Sequence, residues 1–183
     1  MLTAPLVYAQ EKSCGVKSAV LYQESHAQGS VTPITTYVDD FGRRRASEFS
    51  IRLGKNKSLH FRHIVYDTYV LSLRSDEQTA EKLPVEAEAV NYLRLTPRII
   101  KKRNIQKAGE ETVAGKPCTV YTLTTPYHGD VFDDKVWVWE GLILKEERAS
   151  HGISVSSTVT VQVDEAAEIS PDKFTVPAGI TIR

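Results

Sequence analysis

Along much of this 183-residue chain every second residue is apolar, and that period of two restricts its fold more than any other feature. Val155, Val159, Val161 and Val163 alternate with Ser154, Ser156, Thr158, Thr160 and Gln162. Phe49, Ile51 and Leu53 alternate in the same way with Glu48, Ser50 and Arg52. Successive strand side chains point to opposite faces, so these runs predict strands with one dry and one wet face. Three further runs, 65–73 around Asp67-Thr68, 120–123 and 136–139, are apolar on both sides and need cover on both faces. Turn-forming clusters such as Gln28-Gly29-Ser30, Asp39-Asp40-Phe41-Gly42, Gly115-Lys116-Pro117, Glu140-Gly141 and His151-Gly152 separate the runs. The spacing predicts a meander of about ten strands.

The alternation fades between Glu77 and Arg103, where helix formers gather at Ala80-Glu81-Lys82 and from Val85 to Asn91. Thr96-Pro97 is an N-cap followed by proline at the first helical position, which predicts a short helix to about Arg103. Ser170-Pro171 repeats that signal for one turn, and Thr175 to Ile182 reads as a final edge segment. Five strands, a helical interruption and five more strands make one domain over 10–183, mainly β with minor α. A twisted sheet of that width must curl. The prediction is a curved antiparallel half-barrel covered by one or two short helices.

Lys plus Arg and Asp plus Glu number 23 each, so the chain offers little attraction to nucleic acid. No run approaches the roughly 18 apolar residues of a membrane-spanning helix. Residues 1–9 end in Val7-Tyr8-Ala9, small residues of the kind that precede signal-peptidase cleavage. A signal-peptide remnant and an ordinary frayed terminus both fit; the first implies a periplasmic or secreted protein. Cys14 and Cys118 are the only cysteines and hold no zinc motif. A disulfide between them and a pair of free buried thiols are both compatible with the sequence.

Taken in order, several segments resemble the LolA/LolB-type lipoprotein-carrier superfamily and its uncharacterised secreted relatives. They are 15–22 at the first strand, Thr36-Tyr37-Val38-Asp39-Asp40-Phe41-Gly42, 109–121, 136–145 and Phe174-Thr175-Val176-Pro177-Ala178-Gly179. The resemblance covers most of the chain. It implies a half-barrel with helices over its mouth around an apolar cavity, which in such carriers receives lipoprotein acyl chains. No catalytic residue comes with it. The carriers' lipoprotein-receiving arginine falls in the region of Arg43, Arg44 and Arg45, without a choice among them.

Other motifs dissolve on inspection. Asp40-Phe41-Gly42 imitates a kinase metal-binding element, but the accompanying kinase motifs are missing and a hairpin turn explains it. Gly109 to Lys116 has the wrong glycine spacing for a phosphate loop, and Pro117 replaces the required hydroxyl. On a strand His60 and His63 face opposite ways and cannot share a metal. Asp133-Asp134 lacks the further oxygen ligands of a calcium loop. Neither a metal nor a cofactor is expected, and no nucleophile–base pair is legible that would make the chain an enzyme.

The aromatic residues carry the positive evidence. Trp137 and Trp139 share one strand face, Val136 and Val138 the other. The aromatics either fill a solid interior or line a ligand cavity. On the second reading the ligand-binding residues are Tyr37, Tyr66, Tyr69, Leu71, Tyr92, Leu95, Ile99, Trp137 and Trp139. The protein would then be a noncatalytic periplasmic binding protein holding a lipid or an acylated lipoprotein, with release by opening of the cover around 85–103. Burial at about 0.8 kcal/mol per methylene gives a 16-carbon chain on the order of 10 kcal/mol before entropic costs. The alternative is a structural or interaction module of the cell envelope with a solid core, docking a partner through the Trp137/Trp139 face. The oligomeric state is open.

Overall fold

The computed structural model describes residues 11–54, 57–66, 68–85, 89–127 and 129–183. Residues 1–9, which fit a signal-peptide remnant or a frayed terminus, lie outside these residues, as do Asp67, Glu86-Ala87-Glu88 and His128. Twelve strands form one open, curved sheet. They are β1 (Ala19–Ala27), β2 (Ser30–Asp39), β3 (Arg44–Leu53), β4 (Lys57–Val65), β5 (Tyr69–Arg74), β6 (Thr79–Pro84), β7 (Gln106–Val113), β8 (Lys116–Tyr127), β9 (Asp130–Trp139), β10 (Leu142–Ser150), β11 (Ile153–Asp164) and β12 (Thr181–Ile182). Their spatial order is β12-β6-β5-β4-β3-β2-β1-β11-β10-β9-β8-β7, so two meanders join where β1 pairs with β11. All pairs are antiparallel except β12 on β6.

The helix α1 covers Pro97–Arg103 between the two meanders, as the cap signal predicts. Thr96 accepts the Ile99 backbone N–H at 3.3 Å, and Asn104 closes the helix in the left-handed conformation. A cap of this kind contributes about 1 kcal/mol. Seven residues cannot hold a helix in water unaided, so packing must supply the rest. Ile99 is buried with Ile105, Leu123, Val136 and Val138, and Tyr92, Leu95 and Tyr121 pack around them.

Register carries the α1 face from Val136 through Glu146, Thr158 and Ser25 to Thr32. The opposite face has its own cover. A 3-10 turn over Pro171–Phe174 and the tail beyond it bring Val176 and Ile180 against Ile64, Leu71, Leu73 and Ala80. The middle of the chain thus covers part of one face, and the C-terminus covers part of the other.

The count is twelve strands rather than about ten. β6 lies inside the segment expected to be helical, because a short strand with polar residues carries little alternation. The 154–163 pattern also breaks. The β1–β11 register shifts between Tyr22 and Gln23, and Val161 is left 54% exposed at the bulge. Ile51 and Leu53, expected on a dry face, are exposed near the end of the β3–β4 hairpin.

One end of the sheet is closed by the N-terminal segment. Ser13 and Cys14 donate their backbone N–H groups to the Phe41 carbonyl at 3.0 and 3.1 Å, while Gly15 donates to that of Glu140 at 2.7 Å. Residues 13–15 thereby tie the β2–β3 turn to the β9–β10 turn. Gly42 and Gly141, both with positive φ, let the strap approach this closely.

Candidate functional site

Segment 89–92 lies beside the strap, where the Asn91 side-chain amide donates to the Lys12 carbonyl at 3.0 Å, and leaves a cleft of about 470 Å³ between itself and the α1 face. Its apolar wall includes Leu21 of β1, Val38 of β2, and Leu142 and Leu144 of β10. Leu144 is fully buried, and Val38 and Leu21 nearly so, within one apolar cluster that also holds Cys14, Cys118 and Trp137. The volume falls within the roughly 300–1,000 Å³ of small-molecule sites.

The rest of the wall is polar. The Thr36 hydroxyl donates to the side-chain oxygen of Gln23 at 2.7 Å, and the Gln23 side-chain amide N–H donates to the Thr160 hydroxyl at 3.2 Å, linking β2, β1 and β11. Arg45 and Glu146 also line the cleft. Of the three consecutive arginines only Arg45 does so; Arg43 pairs with Asp40 at 3.1 Å and Arg44 with Asp39.

A charged chain runs from Glu146 in this wall to α1. Asp134 is 4% exposed and takes two hydrogen bonds from Arg148, at 2.8 and 3.1 Å. Arg148 also reaches Glu146 at 3.1 Å. From the helix, Arg103 donates to the Thr124 carbonyl and to the Thr125 hydroxyl, each at 2.6 Å, and Thr125 donates to Asp134. Buried charges persist only when paired in this way.

The nine residues expected to line a cavity fall into separate groups rather than one. Tyr92, Leu95 and Ile99 join the α1 cluster, and of these Tyr92 faces the cleft. Tyr66 and Tyr69 stack at 4.7 Å near Leu71, which is 1% exposed under the C-terminal tail. Tyr37 donates to Glu48 at 2.9 Å on that same opposite face.

Trp137 is 1% exposed and donates its indole N–H to Glu111 at 2.8 Å. Lys145 and Lys135 lie 4.0 and 4.5 Å from its ring centroid, and Lys116 lies 4.6 Å from that of Trp139. The chain thus covers its own tryptophans with lysine stems. Leu21, Gln23, Thr36, Val38, Leu144 and Glu146 escaped the sequence reading. Alternation assigns such residues to a face but does not say which face is hollow.

A second cleft, of about 630 Å³, opens beside the C-terminal tail, with Pro33, Phe61, Leu73, Pro177 and Ile180 among its lining residues. His60 and His63 do lie on β4 with three residues' spacing; His60 meets Ser50 at 2.6 Å, and His63 lies edge-on to Phe49 at 4.9 Å. Among the described residues, no group of three His, Cys, Asp or Glu side chains is placed to hold a metal.

No protein-family model matches the sequence, and no curated protein matches it either. Solved structures do. An uncharacterized conserved protein from Thermus thermophilus superposes with a TM-score of 0.58 over 92% of this chain and 91% of its own, at 9% identity. MucB, in a complex with MucA(peri), superposes with a TM-score of 0.53 over 91% of this chain at 15% identity. At such identities the likeness is one of fold. The curved sheet with a short helix on one face is the architecture that the sequence resemblance implied.

The fold is one open, curved, mainly antiparallel sheet, shared with these two structures.

The chain spans 56% of the MucB chain. A putative outer membrane lipoprotein-sorting protein domain from Vibrio parahaemolyticus is also similar, with a TM-score of 0.39 and 10% identity over 86% of this chain and 88% of its own. Among the described residues no helix is long and apolar enough to cross a membrane.

Proposed function

We propose that this protein is a noncatalytic binding protein of the cell envelope, periplasmic or secreted, which holds an acyl chain of a lipid or lipoprotein beneath segment 89–92. The observation that carries the reading is the cleft itself, with Leu21, Val38, Leu142 and Leu144 forming its apolar wall. Transfer of methylenes onto such a wall supplies the driving force. Gln23, Thr36, Arg45 and Glu146 would face the polar end of the ligand. Tyr92 is the one residue of the nine that this reading keeps at the cleft.

Two measurements test it together. Native mass spectrometry of protein purified without detergent is expected to show an adduct of lipid mass, and a fluorescent fatty acid is expected to gain intensity on binding. An adduct-free mass together with no uptake would overturn the reading.

A second reading, a protein-interaction module of the envelope, is favoured by the likeness to MucB, which was solved in a complex with MucA(peri). Cross-linking in intact cells separates the two. A carrier meets many lipoproteins, and an interaction module meets one partner.

A further inference from the structure

The charged chain beside the cleft joins the helix α1 to the sheet. Arg103 comes from α1, on the covering side. Asp134 on β9 and Arg148 and Glu146 on β10 belong to the sheet. Glu146 also lines the cleft that Tyr92 covers. Its side chain is 35% exposed and pairs with Arg148 at 3.1 Å, a partner that gives two of its own hydrogen bonds to Asp134.

We infer that closure of segment 89–103 over the cleft is coupled to proton binding by Glu146, so that acidification closes the cover and alkalinisation loosens it. This rests on the reading of the cleft as the ligand site and adds how that site is regulated.

Two carboxylates share Arg148, and Asp134 holds the larger part of it. Closing the cover strips water from Glu146, and a carboxylate with half a partner loses more by this than a neutral carboxyl. The groups that bear on the site act consistently. Burial holds Glu146 above the ordinary carboxylate range; Arg148 pulls it back, and the Asp134 charge pushes it further up. From the covering side, Tyr92 is raised by burial and then by the charge of Glu146; Arg103 acts against this, and Asp134 and Tyr121 with it. Arg45, Lys145 and Glu11 complete the charged groups lining the cleft.

An acid whose pKa is higher when covered stabilises the covered state at low pH. That contribution is lost as pH rises through the raised value. Loading and release would then follow the local proton concentration without any change in the ligand.

Hydrogen exchange at the α1 backbone amides tests this without a ligand. Corrected for intrinsic rates, protection across Ile99–Ile105 should fall several-fold between pH 5 and pH 8 in the wild type and stay flat in Glu146→Gln. A second measurement covers the case in which that variant folds poorly. Carboxyl carbon NMR should show Glu146 titrating above the ordinary range in the wild type and returning to it in Tyr92→Ala. Protection independent of pH in the wild type, or an unchanged Glu146 titration in Tyr92→Ala, would overturn the gate while leaving fatty-acid uptake standing. Absent uptake with pH-dependent protection would instead remove the ligand and keep the gate.

Discussion

Gly141 stands directly beneath Ser13: a methyl group added at its Cα would lie 2.6 Å from the Ser13 carbonyl oxygen and 3.0 Å from Leu93 Cγ. Gly29 has a similar positive φ but open space around it. The pair separates two costs. Gly29→Ala should lose only the roughly 1–2 kcal/mol of left-handed backbone strain. Gly141→Ala should lose clearly more, because the strap and segment 89–95 must also shift. Urea denaturation of both variants measures the difference, and equal losses would show that the strap does not press on the turn.

The Asp134–Arg148 pair gives a second prediction. Removing one member of a buried pair costs about 3–5 kcal/mol, and the lower end applies because the Arg148 side chain is 30% exposed and reaches water. Asp134→Ala should therefore lose about 3 kcal/mol in equilibrium unfolding. Thr125→Val should lose less while raising hydrogen exchange in α1, since it cuts the link to Arg103 and leaves the ion pair intact.

The tail on the opposite face should respond to pH with the other sign. Burial alone would raise Glu48, but hydrogen bonds from Lys173 and Tyr37, with the charges of Lys173 and Arg62, hold it below the ordinary range. A lowered acid contributes stability above its unfolded pKa of about 4.3 and loses it as pH falls through the folded value. Exchange of the Lys173 to Thr175 amides should accelerate on acidification below that range. Lys173→Ala should show the faster exchange already at neutral pH.

Cys14 and Cys118 are free, 0% and 2% exposed, and both thiols are raised by burial. A thiol reagent at neutral pH should modify neither in the native protein and both in denaturant. Rapid reaction of either native thiol would show that the cluster shared by the strap and β8 opens without unfolding.

The fold was largely legible and the site largely was not, for one physical reason. Alternation reports that two side chains share a face, and Thr96-Pro97 reports where a helix starts, so the meander and α1 could be read directly. What lies over each face is decided by contacts distant in sequence. Trp137 fitted either a solid interior or a ligand wall, and Glu111, Lys135 and Lys145 enclose it from other strands and from its own. The final edge segment read over 175–182 forms β12 through only two residues, and no local pattern announces its parallel pairing with Thr79 and Ala80. Bulges at Val161 and between Ile143 and Lys145 shift the phase of the pattern where the cleft is built.

Photo-cross-linking with a diazirine-bearing fatty acid, followed by peptide mapping, decides whether an acyl chain sits beneath segment 89–92, because the two clefts lie on opposite faces and share no lining residue. Label is expected on peptides holding Leu21, Val38, Tyr92 and Leu142–Glu146, with loss of label in Leu144→Trp. Label confined to peptides around Phe61, Leu73 and Pro177–Ile180, or no label at all, would contradict binding at that site.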